Sequence, residues 1–181
     1  MVDSNKEKRN IHIIAGSVFI VDVDRFMQKI QEISKRNQII IQAFNADMIC
    51  GKNHIYSAAT HAIRAEKQNS KATHSLAMEL LLYAAGERQV KHALQKMGIT
   101  QGKSNIALVI INLQRKTKNL IDQCIESLID QFNIQLDDSV ITCSTKKIKN
   151  FGITDQQLKT LSEEKYEYLV LEQIAQVDII K

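Results

Sequence analysis

Polar side chains recur at helical spacing in the segment GKNHIYSAATHAIRAEK, where they could contact a polyanion. At 100° per residue, His54, Ser57, His61 and Arg64 fall on one face, and the small and apolar residues fall on the other. Imidazole and guanidinium groups donate hydrogen bonds to phosphates and to base edges. Any solvated face of an amphipathic helix has the same pattern, so the spacing alone leaves both interpretations open.

A second candidate for anion binding follows Gly86, which can take a positive φ and end a helix. Apolar spacing resumes at Val90, and this places Arg88 and Gln89 in the first turn of a new helix. Free backbone N–H groups at that end favour an anion, and the guanidinium of Arg88 adds a forked donor. The alternative is that Arg88 only pairs with an acidic neighbour and fixes the turn.

Glu79 lies in the run THSLAMELLLYAA, which is apolar nearly all round and is therefore predicted to be a buried helix. A carboxylate in such a helix needs a partner. Arg64 and Arg88 are the nearest arginines on either side of it in the sequence and the candidate partners. A structural ion pair is a better interpretation of Glu79 than a catalytic role.

Motifs for enzyme chemistry are missing from the sequence, which contains no P-loop, GxGxxG, GxSxG or HExxH. Cys50 and His54 are close enough in sequence for a nucleophile and its base, although a cysteine there more often packs in a core. His54 and His61 share a predicted helix face, but a metal site needs a third ligand. We therefore predict no catalytic residue, metal or cofactor, and keep a small-molecule enzyme that uses Cys50 and His54 as the lesser alternative.

Charge is distributed unevenly along the 181 residues, whose net charge is +4. Residues 51–118 contain eleven Lys or Arg against three Glu, a net of +8, whereas residues 119–181 contain six basic against eleven acidic residues, a net of −5. A basic middle favours a polyanionic partner, and an acidic end favours a different partner or none. No apolar stretch approaches the roughly 18 residues needed to span a membrane, and three widely spaced cysteines are typical of a reduced, intracellular protein.

Hydrophobic periodicity predicts an α/β fold, in which a mixed or antiparallel sheet packs with helices. The predicted strands lie at 11–20, within 38–49, at 104–112 and at 140–143. The predicted helices lie at 23–35, 53–67, 73–97 (divided into two helices at Gly86), 117–132 and 155–177. Gly16-Ser17 offers a turn or bulge, and Asp22 a helix cap. Three consecutive helices between residues 53 and 97 predict a helical lobe at 52–99, within a single domain over 1–181 whose first ten residues form a flexible tail.

The run SLAMELLLYAAGERQVKHALQKMGI resembles the signature of the PRPK-binding protein family. That signature combines a Glu in an apolar helix with a small residue, Gly, any residue, Arg, Gln and an aliphatic residue, and it ends in Gly-Ile. The matching positions are Glu79, Ala85, Gly86, Arg88, Gln89, Val90, Gly98 and Ile99. The resemblance is good over about residues 38–112 and looser towards the C-terminus.

The resemblance implies a non-catalytic subunit of the KEOPS complex, which makes N6-threonylcarbamoyladenosine in tRNA. Family members bind the small kinase/ATPase of that complex and help to recruit tRNA through its single-stranded 3′ CCA end. A basic groove with flat side chains for base stacking suits this task, and Tyr56 and Tyr83 are candidates for stacking. The expected location is the cytoplasm, and also the nucleus in a eukaryote. A stand-alone RNA-binding module is the alternative.

Two sets of site residues follow from these arguments. The predicted tRNA-binding residues are Lys52, His54, His61, Arg64, Lys67, Arg88, Gln89 and Lys91. The predicted kinase-binding residues are Val170, Leu171, Ile174 and Val177, on the C-terminal helix. Part of this aliphatic stripe must cover a core, and the rest could form a docking patch. A glutamate at Ile174 or Val177 is accordingly predicted to abolish kinase binding while the chain stays folded.

Overall fold

The computed structural model describes residues 10–159, 162 and 165–180. Residues 178–180 are described by their backbone only. The predicted flexible tail lies outside the described residues, except for Asn10. In chain order the elements are β1 (Ile11–Ile20), α1 (Val23–Asn37), β2 (Ile40–Asn45), α2 (Gly51–Lys67), α3 (Leu76–Ala85), α4 (Val90–Met97), β3 (Gly102–Ile111), α5 (Lys118–Phe132), β4 (Gln135–Leu136), α6 (Thr145–Lys149), α7 (Asp155–Leu158) and α8 (Tyr166–Ile180). Short 3₁₀ helices span Ala46–Met48 and Asp138–Ile141.

The chain forms two compact units, each built from two stretches of sequence. Unit 1 contains the described residues up to Ala46 together with Gly98–Val140. Unit 2 contains Asp47–Met97 together with the described residues from Ile141 onwards. All four strands belong to unit 1, and the three consecutive helices expected between residues 53 and 97 belong to unit 2.

The sheet of unit 1 has the strand order β2-β3-β1-β4, with every neighbouring pair antiparallel. This arrangement confirms the predicted α/β class and the antiparallel form of the sheet. Alternate residues of the strands pack against one stripe each of α1 and α5, as the period of 2 in a strand and of 3.6 in a helix requires. The core includes Val18, Ile41 and Leu108 from the strands and Phe26, Ile30, Cys124 and Leu128 from the helices.

Asp22 caps α1 as its sequence position predicts, because its side chain accepts a hydrogen bond of 2.8 Å from the backbone N–H of Arg25. Helix α5 contributes its own apolar stripe to this core, as its helical spacing predicts, although Leu120 lies outside the buried part of the stripe. Leu120 is 52% exposed, whereas Ile121, Cys124 and Leu128 are buried.

Gly16 does not form a turn or bulge, contrary to the sequence-based expectation. The pairing of β1 with β3 continues through Gly16 and Ser17 without interruption. A Cβ atom at Gly16 would overlap the backbone carbonyl of Gln135 on β4. The glycine therefore allows two strands to approach closely at the edge of the sheet.

Two elements near the C-terminus differ from the prediction. Val140 and Ile141 lie in the 3₁₀ helix Asp138–Ile141 rather than in a strand, because Asp137 accepts hydrogen bonds from the backbone N–H groups of Ser139 and Val140. The predicted helix over 155–177 is two helices, α7 and α8. A capping box between Thr154 and Gln157 starts α7, which ends at Leu158.

Candidate functional site

The predicted RNA-contacting residues lie in unit 2, on α2, on α4 and on the turn before α4. Six of the eight are exposed, namely Lys52, Arg64, Lys67, Arg88, Gln89 and Lys91. His61 is half-buried, and His54 is buried completely. The described surface of these helices therefore carries five exposed cationic side chains.

His61 joins α2 to α3. A hydrogen bond of 2.8 Å links its Nδ1 atom to the guanidinium of Arg64, one turn later. Its ring lies 5.3 Å from the ring of Tyr83, centroid to centroid, with 31° between the planes. Tyr83 is buried, so it packs against His61 inside the protein and is not accessible for stacking on a base. Tyr56 is half-buried.

His54 is not part of this surface, which corrects the helical-wheel prediction. Its Nδ1 atom accepts a hydrogen bond of 3.0 Å from the backbone N–H of Cys50, and its Nε2–H donates to the carbonyl of Ala84 at 2.8 Å. The ring of Phe151 packs edge-on against it at 5.3 Å. Burial lowers the pKa of His54 to about 4, and nearby Lys96 and Lys147 contribute in the same direction against the Ala84 bond. A neutral imidazole here ties the start of α2 to the end of α3.

This geometry does not support a Cys50–His54 dyad, because both ring nitrogens of His54 bind backbone groups. The thiol of Cys50 instead forms a hydrogen bond with Cys143, and this bond together with burial raises the pKa of Cys50 far above its usual value. Sequence reasoning missed the contact, because two cysteines separated by about half of the chain form no local pattern.

Glu79 is buried, as predicted. Its hydrogen-bond partners include backbone groups that the sequence did not suggest. One carboxylate oxygen accepts hydrogen bonds from the backbone N–H groups of Ala72 and Thr73, each at 3.1 Å, and from the Thr73 hydroxyl at 3.0 Å. These donors belong to the loop between α2 and α3. Glu79 therefore holds the loop that connects α2 to α3.

Arg88 and Gln89 precede α4 rather than forming its first turn. The carbonyl of Gln89 accepts the N–H of Ala93, which makes Gln89 the residue that flanks the helix. Gly86 ends α3 at φ 66°, as predicted. Arg88 makes no hydrogen bond or ion pair with the residues that the structure describes, and its guanidinium is exposed to solvent.

Glu167 on α8 is a site residue that the sequence analysis did not identify. Its carboxylate accepts hydrogen bonds from the backbone N–H and side-chain amide of Asn53, at 3.0 and 3.1 Å, and from the N–H of His54 at 3.3 Å. These are free donors in the first turn of α2, where a negative charge is favourable. A Cβ at Gly51, whose φ is 88°, would overlap the same carboxylate. Gly51 and Glu167 together position α2 against α8.

Comparison of the chain with known proteins identifies its family. The family described as "Kinase binding protein CGI-121" matches residues 20–178, and the match therefore includes both units. The chain belongs to the CGI-121 family. It is also 30% identical over 113 residues to the "Regulatory protein Cgi121" of Methanocaldococcus jannaschii, an alignment that covers 61% of this chain and 72% of the relative.

In this CGI-121 family member, the predicted kinase-binding residues of α8 are mostly inside the protein. Val170, Ile174 and Val177 are fully buried, where α8 packs against α2, α3 and α6. They cannot form a docking patch, which corrects the prediction, and Leu171 is half-buried. Tyr168, in contrast, is 64% exposed.

Other kinds of site are not evident in the part of the chain that the structure describes. Within it, no three His, Cys, Asp or Glu side chains are grouped so that they could hold a metal ion. No described helix is long and apolar enough to cross a membrane.

Proposed function

We propose that this chain is a non-catalytic, cytoplasmic subunit of the KEOPS complex, which binds the small kinase/ATPase of the complex and helps to recruit tRNA through its 3′ CCA end. The observation that carries the proposal is the match of a kinase-binding family over residues 20–178. The exposed cationic side chains of unit 2 support the RNA part of the proposal. A subunit of this kind acts by positioning its partners.

The kinase would contact the exposed face of α8. Tyr168, Leu171 and Ala175 recur at intervals of three and four residues, so they share one face of the helix. Tyr168 and Ala175 are exposed and Leu171 is half-buried. A large, exposed aromatic side chain is the kind of residue that dominates binding at protein interfaces.

Replacing Tyr168 by Glu should weaken kinase binding by about 2 kcal/mol or more, roughly 30-fold, because an interface anchor is lost and a charge is introduced. Isothermal titration of the purified chain with the KEOPS kinase would measure the change. Gln176→Glu is the matched control, since it adds the same charge at an exposed position of α8. Equal affinities for both variants would remove this face from the interface. A folded wild-type chain that ignores the kinase but binds tRNA would favour a stand-alone RNA-binding module.

Transfer RNA would contact the basic surface formed by α2, the turn before α4 and the first turn of α4. Arg64, Lys67 and Lys91 are exposed there, and Arg88 is exposed with a free guanidinium fork among the described residues. Arginine binds phosphate through two parallel hydrogen bonds, which lysine cannot reproduce. The polar side of the half-buried His61 ring adds a flat group beside these cations.

Binding of tRNA should weaken with salt at a log–log slope of about −1.4 to −2.8, as two to four contacts with single-strand phosphates require. Arg88→Ala should lower the affinity, and Arg88→Lys should restore only part of it. Because Arg88 is exposed, neither variant should change the melting temperature. Lys146→Ala removes an exposed charge elsewhere in unit 2 and serves as the control. Equal binding of intact tRNA and of tRNA without its CCA end would disprove the proposed recognition of the 3′ end.

A further inference from the structure

A basic cavity lies in unit 1, apart from the residues assigned to kinase or tRNA. It has a volume of about 520 Å³ and opens where β1 begins, β3 ends and α5 begins. The side chains of Arg115, Lys116 and Lys118 line it, with His12, Asn112 and Ile121. This volume lies within the usual range of small-molecule sites, about 300–1,000 Å³.

The loop that presents these cations is held in one conformation by Asn112. The buried side chain of Asn112 donates to the carbonyl of Lys116 at 3.0 Å and accepts from its N–H at 2.9 Å. The carbonyl of Asn112 accepts the N–H of Arg115, whose φ of 53° is unfavourable for a side chain of this kind. The loop backbone that carries the cations is therefore ordered before any ligand arrives, which lowers the entropic cost of binding.

The charges around the cavity are not neutralised by their described neighbours. The side chains of Arg115 and Lys118 are exposed and make no ion pair or hydrogen bond with the described residues, while Lys116 donates to the side chain of Gln38 at 3.1 Å. Asp122 is the acidic group near His12, whose pKa is lowered by burial in spite of that carboxylate. A neutral His12 adds a polar ring, and the positive charge comes from the other three side chains.

The start of α5 adds to the positive electrostatic potential at the cavity. Lys118 is its first residue, no acidic residue follows in the first turn, and the Thr117 side chain does not cap it. A lysine at a helix N-terminus is electrostatically unfavourable, because its charge has the same sign as that end of the helix dipole. An anion bound there reduces this repulsion. We propose that this cavity binds a phosphate group, carried either by a small phosphorylated molecule or by a nucleic-acid backbone. Phosphate suits the guanidinium fork of Arg115 and the point charges of two lysines.

The test is an NMR titration of the full chain with inorganic pyrophosphate, and separately with a short single-stranded RNA, at constant ionic strength. Pyrophosphate, the RNA or both should shift the backbone amides of residues 112–118. The double variant Arg115→Gln/Lys118→Gln should bind at least about tenfold more weakly, because two charge-assisted hydrogen bonds are removed. Binding of pyrophosphate alone would identify a small molecule as the source of the phosphate, and binding of RNA alone would identify a nucleic acid.

The matched control is Arg25→Gln/Lys103→Gln, which removes the same charge from exposed positions of unit 1. Lys103 and Arg25 lie near the Ile20–Gly102 end of the β1–β3 pair, whereas the cavity lies at the Ile11–Ile111 end. The control should change the affinity less than about twofold. No shift at residues 112–118 with either probe, or an equal loss in the control variant, would overturn the proposal. Either result is independent of kinase binding and of the CCA end.

Discussion

Replacing Ile174 by Glu should lower the free energy of unfolding by about 4 kcal/mol or more, because a carboxylate would replace a fully buried aliphatic side chain. Ile174 lies on the inner face of α8, which packs against α2 and α3. Urea-induced unfolding followed by circular dichroism measures the change.

Gln176→Glu is the control for Ile174→Glu, because it places the same side chain two residues later at an exposed position. It should change the stability by no more than about 0.5 kcal/mol. A cooperative transition of Ile174→Glu at the wild-type midpoint would show that this face of α8 is not packed. Loss of kinase binding by Ile174→Glu, if the variant is unfolded, carries no information on the interface. The sequence-based expectation that Ile174→Glu stays folded is therefore not met by this structure. Tyr168→Glu, at an exposed position, is the variant that tests the kinase interface.

Lowering the pH from 7 to 4 should cost the fold about 3 kcal/mol through His54 alone. Its pKa is about 4 in the folded chain and 6.5 when unperturbed. Between these values the unfolded chain binds the proton and the folded chain does not, so the stabilising contribution is present above pH 6.5 and is lost as the pH falls towards 4. The physical cause of the lowered pKa is burial, which disfavours the charged imidazolium more strongly than the hydrogen bond to the Ala84 carbonyl favours it.

His54→Gln separates this effect from other titrations. The variant should be less stable than the wild type at pH 7, because two buried hydrogen bonds are altered, but its stability should fall less between pH 7 and 4. Burial also lowers the pKa of His12, which adds a loss in the same direction. The difference between wild type and variant, measured by urea unfolding at each pH, is therefore the quantity to compare. Parallel pH profiles would contradict a neutral, buried His54.

Local chemistry predicted much of the fold. Asp22 begins α1 and Gly86 ends α3 because a cap and a positive φ depend on the residue itself and its immediate neighbours. The prediction of a strand at 140–143 was wrong because of similarly local chemistry. The hydrogen bonds from Ser139 and Val140 to Asp137 favour a tight turn over the strand that the β-branched residues suggest.

The site was less predictable, because its decisive contacts join distant parts of the chain. A helical wheel places His54 beside His61, but it contains no information on the carbonyl of Ala84 or the ring of Phe151. Glu79 was expected to need a partner, and the backbone donors of the 72–73 loop have no sequence signature. The apolar stripe of α8 was recognised, but its division into buried and exposed faces depends on the helices around it.

The discontinuous make-up of both units has a consequence for how the chain can fold during synthesis. Strand β1 cannot pair in unit 1 until β3 has been made, since Ile11 lies opposite Ile111. The carboxylate that caps α2 comes from Glu167, 114 positions after Asn53. Contacts so far apart in sequence slow folding, because a long segment must be ordered before they form. The nascent chain therefore exposes the aliphatic face of β1 until β3 has been made, a period in which aggregation competes with folding.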